Sequence, residues 1–184
     1  MKSPVAWLVF WSSWFLAGCV SAERSAGDFL ATPGLEAIAG TYRNTGTTTT
    51  GGTASARLSR LIWPEDKSLA HDSVALIEVQ VLAERRLRVR ASDATGQLLK
   101  VGEYEQGRDF QFTGRSLRLA PRSQMVGLKS GEPMVGVADG WVEFGLDQQG
   151  QGKARRTESA TGLVYGFIPL SLGAAHDLRF ARVR

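Results

Sequence analysis

The chain has 184 residues, 22 Lys and Arg against 18 Asp and Glu, and one Cys. A formal net charge of +4 falls short of the basic footprint of a nucleic-acid binder, and a lone thiol excludes an internal disulfide framework. The length suits one domain of ordinary size with its own packed core.

Met1-Lys2-Ser3 supplies a positive charge, and Val5 to Leu16 is almost entirely apolar. This is the layout of a secretion signal; at about a dozen residues the run is shorter than the roughly 20 that a membrane-spanning helix needs. Leu16-Ala17-Gly18-Cys19 then resembles the bacterial lipobox, in which small residues let a peptidase reach the bond before a cysteine whose thiol carries diacylglycerol. The resemblance implies that residues 1–18 are removed. Cys19 then begins the mature chain with covalent diacylglycerol and an acyl chain, and no other cofactor is implied. A single chain, at about 0.8 kcal/mol per buried CH₂, anchors only marginally, whereas two or more anchor stably. Many inner-membrane lipoproteins of Gram-negative bacteria have aspartate after the cysteine. Val20 stands here, so the resemblance favours a lipid anchor in the outer membrane with the domain facing the periplasm. A Gram-positive host, and a plain secreted protein cut elsewhere, stay open.

Val20 to Gly34 mixes Ser, Ala, Glu, Arg, Gly and Pro without a period, so residues 19–34 are expected to be a lipidated tether and 35–184 a single β domain. Leu35 to Arg43 alternates and predicts the first strand. Asn44 to Thr53, NTGTTTTGGT, has no apolar anchor and predicts an exposed loop. Leu58, Leu61 and Ile62 stand at helical spacing before Pro64, which predicts one short helix. From Ser73 onward short alternating runs are separated by turn signals, the spacing of an antiparallel all-β domain. Strands are expected at Val74–Leu82, Arg85–Ala91, Leu98–Tyr104, Asp109–Thr113 and Ser116–Ala120. Later ones are expected at Met134–Val137, Trp141–Leu146, Leu163–Leu172 and Leu178–Val183, with Asp147 to Gly152 a turn.

No long amphipathic helix alternates with these strands, so a parallel α/β sheet is excluded. The expectation is an all-β antiparallel meander of about nine strands, forming a barrel or a two-sheet sandwich. Charged outward positions such as Arg86, Arg88, Arg90 and Arg118 do not suit the lipid-facing wall of an outer-membrane barrel. Gly40-Thr41-Tyr42 resembles the lipocalin Gly-x-Trp signature with Tyr in place of Trp. That resemblance implies that a late arginine, Arg179 or Arg182, packs across the ring. In overall layout the chain is similar to uncharacterised small lipoproteins of proteobacteria, through its lipobox, its Gly40-x-Tyr42-x-Asn44 strand and its meander. This similarity implies location and fold, and no activity.

Catalytic motifs are thin: there is no Gly-x-Ser-x-Gly elbow, no His-Glu-x-x-His, no Cys pair and no P-loop. His71 and His176 each precede an aspartate, but a zinc site usually needs three protein ligands and adjacent strand residues point to opposite faces. No catalytic residue and no metal site is nominated. Arg86, Arg88 and Arg90 share one strand face and present planar forks suited to phosphate or carboxylate, unless Glu78 and Glu103 balance them across the strands. Trp141 lies opposite the apolar face of Val142, Phe144 and Leu146 and marks either a contact surface or a covered second face. These four residues are the candidate binding face. The leading expectation is a non-enzymatic protein, tied to a membrane by its lipid, that binds an envelope protein, a glycan or an anionic lipid headgroup, and no nucleic acid. A lipocalin-like carrier of a small apolar ligand is the second reading, and a hydrolase the third.

Overall fold

Side chains that alternate between apolar and polar with a period of two place one set on the buried face of a sheet, and most of this chain is built that way. The computed structural model describes residues 20–21, 28–48, 56–127, 134–165 and 168–183; Leu16, Ala17, Gly18 and Cys19 lie outside the described residues. The strands are β1 (Val20–Ser21), β2 (Gly40–Thr48), β3 (Ala56–Arg57), β4 (Leu76–Ala83), β5 (Arg86–Ser92) and β6 (Leu98–Glu105). They continue with β7 (Phe110–Phe112), β8 (Ser116–Leu119), β9 (Arg122–Val126), β10 (Met134–Leu146), β11 (Gly152–Val164) and β12 (Ile168–Val183). A 3₁₀ turn at Leu35–Ala37 precedes β2, and one short helix, α1 (Leu58–Ile62), follows β3.

All of these strands join one sheet in the order β6-β5-β4-β2-β12-β11-β10-β8-β7, with β1 on β12, β3 on β2 and β9 on β10. Pairing is antiparallel except for β1 on β12. Neighbours along the path follow chain order, apart from the first long strand, β2, which pairs with the last, β12. The meander is therefore curled so that its ends meet in the middle. It is not closed into a barrel: β6 and β7 share only the bridge between Gln106 and Phe110 and the hydrogen bonds of the turn joining them.

One core lies inside the curl. Ile77 and Val79 of β4, Leu87 and Val89 of β5, Leu117 of β8, Phe144 of β10 and Phe180 of β12 are buried there. Leu58 and Leu61 enter it from α1, and Leu35 and Ile38 from the 3₁₀ turn. Among the described residues no helix is long and apolar enough to cross a membrane.

The polar residues of β2 tie this core together. Asn44 is fully buried; its Nδ2 donates to the carbonyls of His71 (3.0 Å) and Val74 (2.9 Å), and its Oδ1 accepts from the Ser59 amide at 2.8 Å. One amide thus holds the start of α1 and the loop before β4 against β2. Tyr42, also fully buried, donates its hydroxyl to the Ile38 carbonyl at 2.5 Å and sets its ring edge-on to Phe144, with centroids 5.1 Å apart.

Several expectations are corrected. Asn44 to Thr48, read as part of an exposed loop, continues β2 because Asn44 is the buried hub and the backbone pairs with both β3 and β12; residues 49–55 lie outside the described residues. Residues 28–34, assigned to the tether, dock on the domain: Phe29 is buried, and the amides of Leu30 and Thr32 donate to the carbonyls of Leu146 (2.8 Å) and Gly114 (3.0 Å). Met134–Val137 and Trp141–Leu146 are one strand. Leu163–Leu172, read as one strand, is the end of β11, a turn at Tyr165 with φ of 52°, and the start of β12. Gly166 is set among apolar residues on both sides, so the run reads as one strand in the sequence.

Asn44→Ala leaves three buried backbone groups without a partner, so it is expected to destabilise the fold by about 3 kcal/mol, read from the urea midpoint at constant slope. Burial pushes the phenols of Tyr42 and Tyr104 up to about 12. The unfolded chain, with phenols near 10, gives up these protons first. Stability is therefore complete below about pH 10 and falls as the pH rises toward about 12; thermal melts of Tyr42→Phe should show a shallower alkaline fall than the wild type.

Candidate functional site

Three strands outrun the rest of the sheet. β10 and β11 have 13 residues each and β12 has 16, against 8 for β4 and β6. The pairing of β10 with β8 ends at Glu143, whereas β10 and β11 stay in register as far as Met134 and Val164. Beyond the core, β9 to β12 extend as an arm, with β1 paired to β12.

Where this arm leaves the core, its concave side forms an open cleft of about 660 Å³. Period-two alternation explains the lining. Leu61 of α1, Leu119 of β8 and Val142 of β10 make an apolar floor. Ala138 and Gly140 of β10, Ala160 of β11 and Ala174 of β12 make a wall of small side chains, and small side chains leave the space open. Charges sit around it: Arg60, Glu65, Arg122, Asp139, Arg156 and Glu158. Arg156 pairs with Glu158, and Arg60 lies 3.8 Å from Asp72. Arg122 is exposed and makes no ion pair among the described residues. An apolar floor beside guanidinium groups suits a ligand with an apolar body and a carboxylate or phosphate, since arginine forks match those groups.

Inside the curl, a second space of about 50 Å³ is lined by Leu58, Leu87, Tyr104, Phe110 and Phe144 among others. It is far below the roughly 300 Å³ at which ligand pockets begin. The interior is a packed core rather than a cup.

The candidate face read from the sequence is not one surface. Arg88 is held by Glu103 through Nε (3.0 Å) and Nη2 (2.7 Å), and Arg90 lies 3.7 Å from Glu78. Arg86 stands opposite Glu105 on β6. The stripe is a sheet face balanced across strands. Trp141 does lie on the face opposite Val142 and Phe144, but it is only half exposed, with the Arg118 guanidinium 5.9 Å from its ring centroid. Five steps along the sheet separate β5 from β10, about 24 Å at 4.8 Å per strand.

His71 is buried, with Nδ1 3.0 Å from Ser59 Oγ, and supports the Asn44 hub. His176 is exposed opposite Arg156. Among the described residues no group of three His, Cys, Asp or Glu side chains is placed to hold a metal ion.

The arginine that packs across Tyr42 is Arg182, 5.8 Å from the ring centroid. Its Nη2 donates to the carbonyls of Ala37 (3.2 Å) and Ala39, linking the last strand to the 3₁₀ turn. Gly40 has φ of 150°, and a Cβ there would lie 2.8 Å from Arg182 Nε, so glycine is required. Arg179 instead pairs with Asp147 at 2.8 Å.

The residues that sequence reading missed lie on the convex side of the arm's base. Asp177, 1% exposed at its side chain, takes Lys153 at 2.7 Å and the Arg155 fork at 2.7 and 3.0 Å. The Phe29 ring covers both cations at 5.3 and 5.4 Å. Beside them Glu143 accepts two bonds from Arg118, at 2.9 and 2.7 Å. Lys153, Arg155 and Asp177 have no distinguishing spacing in the chain; only the β11–β12 register joins them.

The cleft and the arm can be separated by glycine substitutions. Gly140 faces the cleft, and a Cβ there meets nothing nearer than 3.6 Å, so Gly140→Leu should fill the cleft with a midpoint within about 1 kcal/mol of wild type. At Gly162 a Cβ would lie 2.4 Å from the Val135 carbonyl, so Gly162→Ala should lower the thermal midpoint clearly. Comparison with protein-family models, curated proteins and solved structures finds no match to this chain.

Proposed function

We propose that this chain is a lipid-anchored, non-enzymatic envelope protein that binds another envelope component, a protein or a glycan, in the cleft beneath its arm. The cleft carries the reading: at about 660 Å³ it falls within the range of ligand sites, and its floor and charged rim join apolar and anion-binding chemistry. The lipobox-like Leu16-Ala17-Gly18-Cys19 supports acylation at Cys19, and Val20 favours the outer membrane with the domain in the periplasm. The neutralised Arg86, Arg88 and Arg90 stripe does not enter the reading.

A lipocalin-like carrier is the second reading, favoured by one constellation. Gly40, Tyr42 and Arg182 stand in the relation that the lipocalin signature implies, with the first long strand beside the last. Against it stands the interior space of about 50 Å³, which a small apolar ligand does not fit without expansion of the core.

Two experiments test the proposal. Mass spectrometry of the membrane-bound protein should find diacylglycerol on the peptide that begins at Cys19, and Cys19→Ser should move the protein to the soluble fraction; an unmodified N-terminal peptide overturns the anchor. In-cell photocrosslinking from Gln124, on the cleft rim, should trap a reproducible adduct that Gly140→Leu and Arg122→Glu abolish, while a probe at Arg86 traps none. An adduct from position 86 that survives both substitutions overturns the cleft as the site.

A further inference from the structure

The distal half of the arm is free of charge among its described residues, and the boundary is sharp. Arg122, Asp139, Arg156, Glu158 and His176 form a belt across β9, β10, β11 and β12. Beyond it, 123–127, 134–138, 159–165 and 168–175 contain no Asp, Glu, Lys, Arg or His. From Asp139 to Met134 this zone runs five residues, about 17 Å at 3.4 Å per residue.

Both faces of this zone expose apolar side chains. On the convex face Val135 pairs with Leu163, and Val137 with Met125, all four exposed. On the concave face Ile168 is exposed, and at the turn Tyr165 is 72% exposed. Most soluble domains avoid such a grouping unless it meets a partner or a membrane.

The register of β1 points to the occupant. β1 runs parallel to β12 with Val20 opposite Leu172 and Ser21 opposite Gly173. β1 therefore runs in the direction from the turn end of the arm toward the core, and Phe29 is buried in the domain. Cys19 lies outside the described residues, but consecutive Cα atoms are about 3.8 Å apart, and Leu172 is only four residues from Ile168, about 13 Å along the strand. Val20, next in the chain to the proposed lipid attachment point, and the exposed apolar side chains of the arm lie at the same end of the molecule.

We infer that the turn end of the β9–β12 arm enters the headgroup region of the membrane in which the Cys19 lipid sits, so that the domain stands on the bilayer by two contacts. This inference rests on the acylation proposed above. Tyr165 is an aromatic of the kind that favours the membrane–water interface. Entry stops at that interface for two reasons. The outer edge of β9 has no strand paired to it among the described residues, and hydrocarbon does not satisfy such backbone groups; the connection between β9 and β10 also carries Lys129 and Glu132. The charged belt then lies at the surface, and the cleft is held just above it.

The test uses the acylated full chain in vesicles of phosphatidylethanolamine and phosphatidylglycerol. Because acylation blocks the thiol of Cys19, a bimane label reports only the thiol introduced by Tyr165→Cys, Val135→Cys or, as a control at the far edge of the sheet, Leu98→Cys. Lipids with a nitroxide at the headgroup should quench the labels at 165 and 135 and leave 98 bright. Bright labels at 165 and 135 on vesicle-bound protein overturn the inference, as does crosslinking of two copies through position 165, which assigns the patch to self-association. The mass of the N-terminal peptide, measured on the same sample, reports acylation separately, so failure of the anchor and failure of the arm contact give different results. As a second arm, Tyr165→Asp with Ile168→Asp should leave the acylated protein bound but expose the turn to protease; equal protection in both proteins overturns the contact.

Discussion

The pairing of β2 with β12 is the interaction on which the rest of the structure depends. It joins segments 130 or more residues apart and turns a linear meander into a curled sheet with an inside. Arg182 reinforces the junction by lying across Tyr42 while bonding the carbonyls of Ala37 and Ala39. A guanidinium here satisfies backbone acceptors at the mouth of the curl and gains from the ring beneath it. Contacts at such separation are entropically expensive to form and are rewarded only once the core assembles around them. That accounts for the concentration of buried polar bonds, Tyr42 to Ile38 and Asn44 to three backbone groups, on this one strand.

Once the curl is set, unequal strand length decides the surface. The halves of the sheet pack on each other only over the reach of the short strands, and β10, β11 and β12 run past it. At their base, Asp177 with two cations under Phe29 occupies the convex side, where a buried carboxylate requires compensating charge. On the concave side small residues leave the cleft. Further out, the loss of charge and the exposure of Val135, Leu163 and Tyr165 change the arm from a polar to an apolar surface within a few residues. The proposed binding site and the proposed membrane contact are thus two stretches of the same strands, divided by the belt of Arg122, Asp139, Arg156, Glu158 and His176.

Legibility in the chain followed the strength of the local pattern. β5 alternates cleanly between Arg and Leu, Val or Ala, and the extents of β4, β5 and β6 were readable to within two residues. β11 was missed because Lys153 to Gly162 is polar or small on both faces; its place between two long strands supplies the stability that its own side chains do not. The apolar run around Tyr165 misled in the opposite sense, since Gly166 alone, with apolar residues on both sides, is a weaker turn signal than the clustered Gly, Asn, Asp or Pro of most turns. The arginine stripe was legible as a pattern, but its neutralisation by Glu78 and Glu103 depended on which strands lie beside β5.

By itself the sequence determined the all-β class and the existence of one short helix, and it singled out Gly40 and Tyr42. Each of these rests on periodicity, backbone restriction or a short contiguous motif, which are properties a chain carries before it folds. The tertiary structure alone decided that the curl stays open between β6 and β7, that Arg182 rather than Arg179 meets Tyr42, and that residues 28–34 are docked rather than free. It also decided where the cleft lies and that the apolar arm ends beside the start of β1. These are consequences of register and strand length, set by contacts between residues far apart in the chain, and no local pattern encodes them.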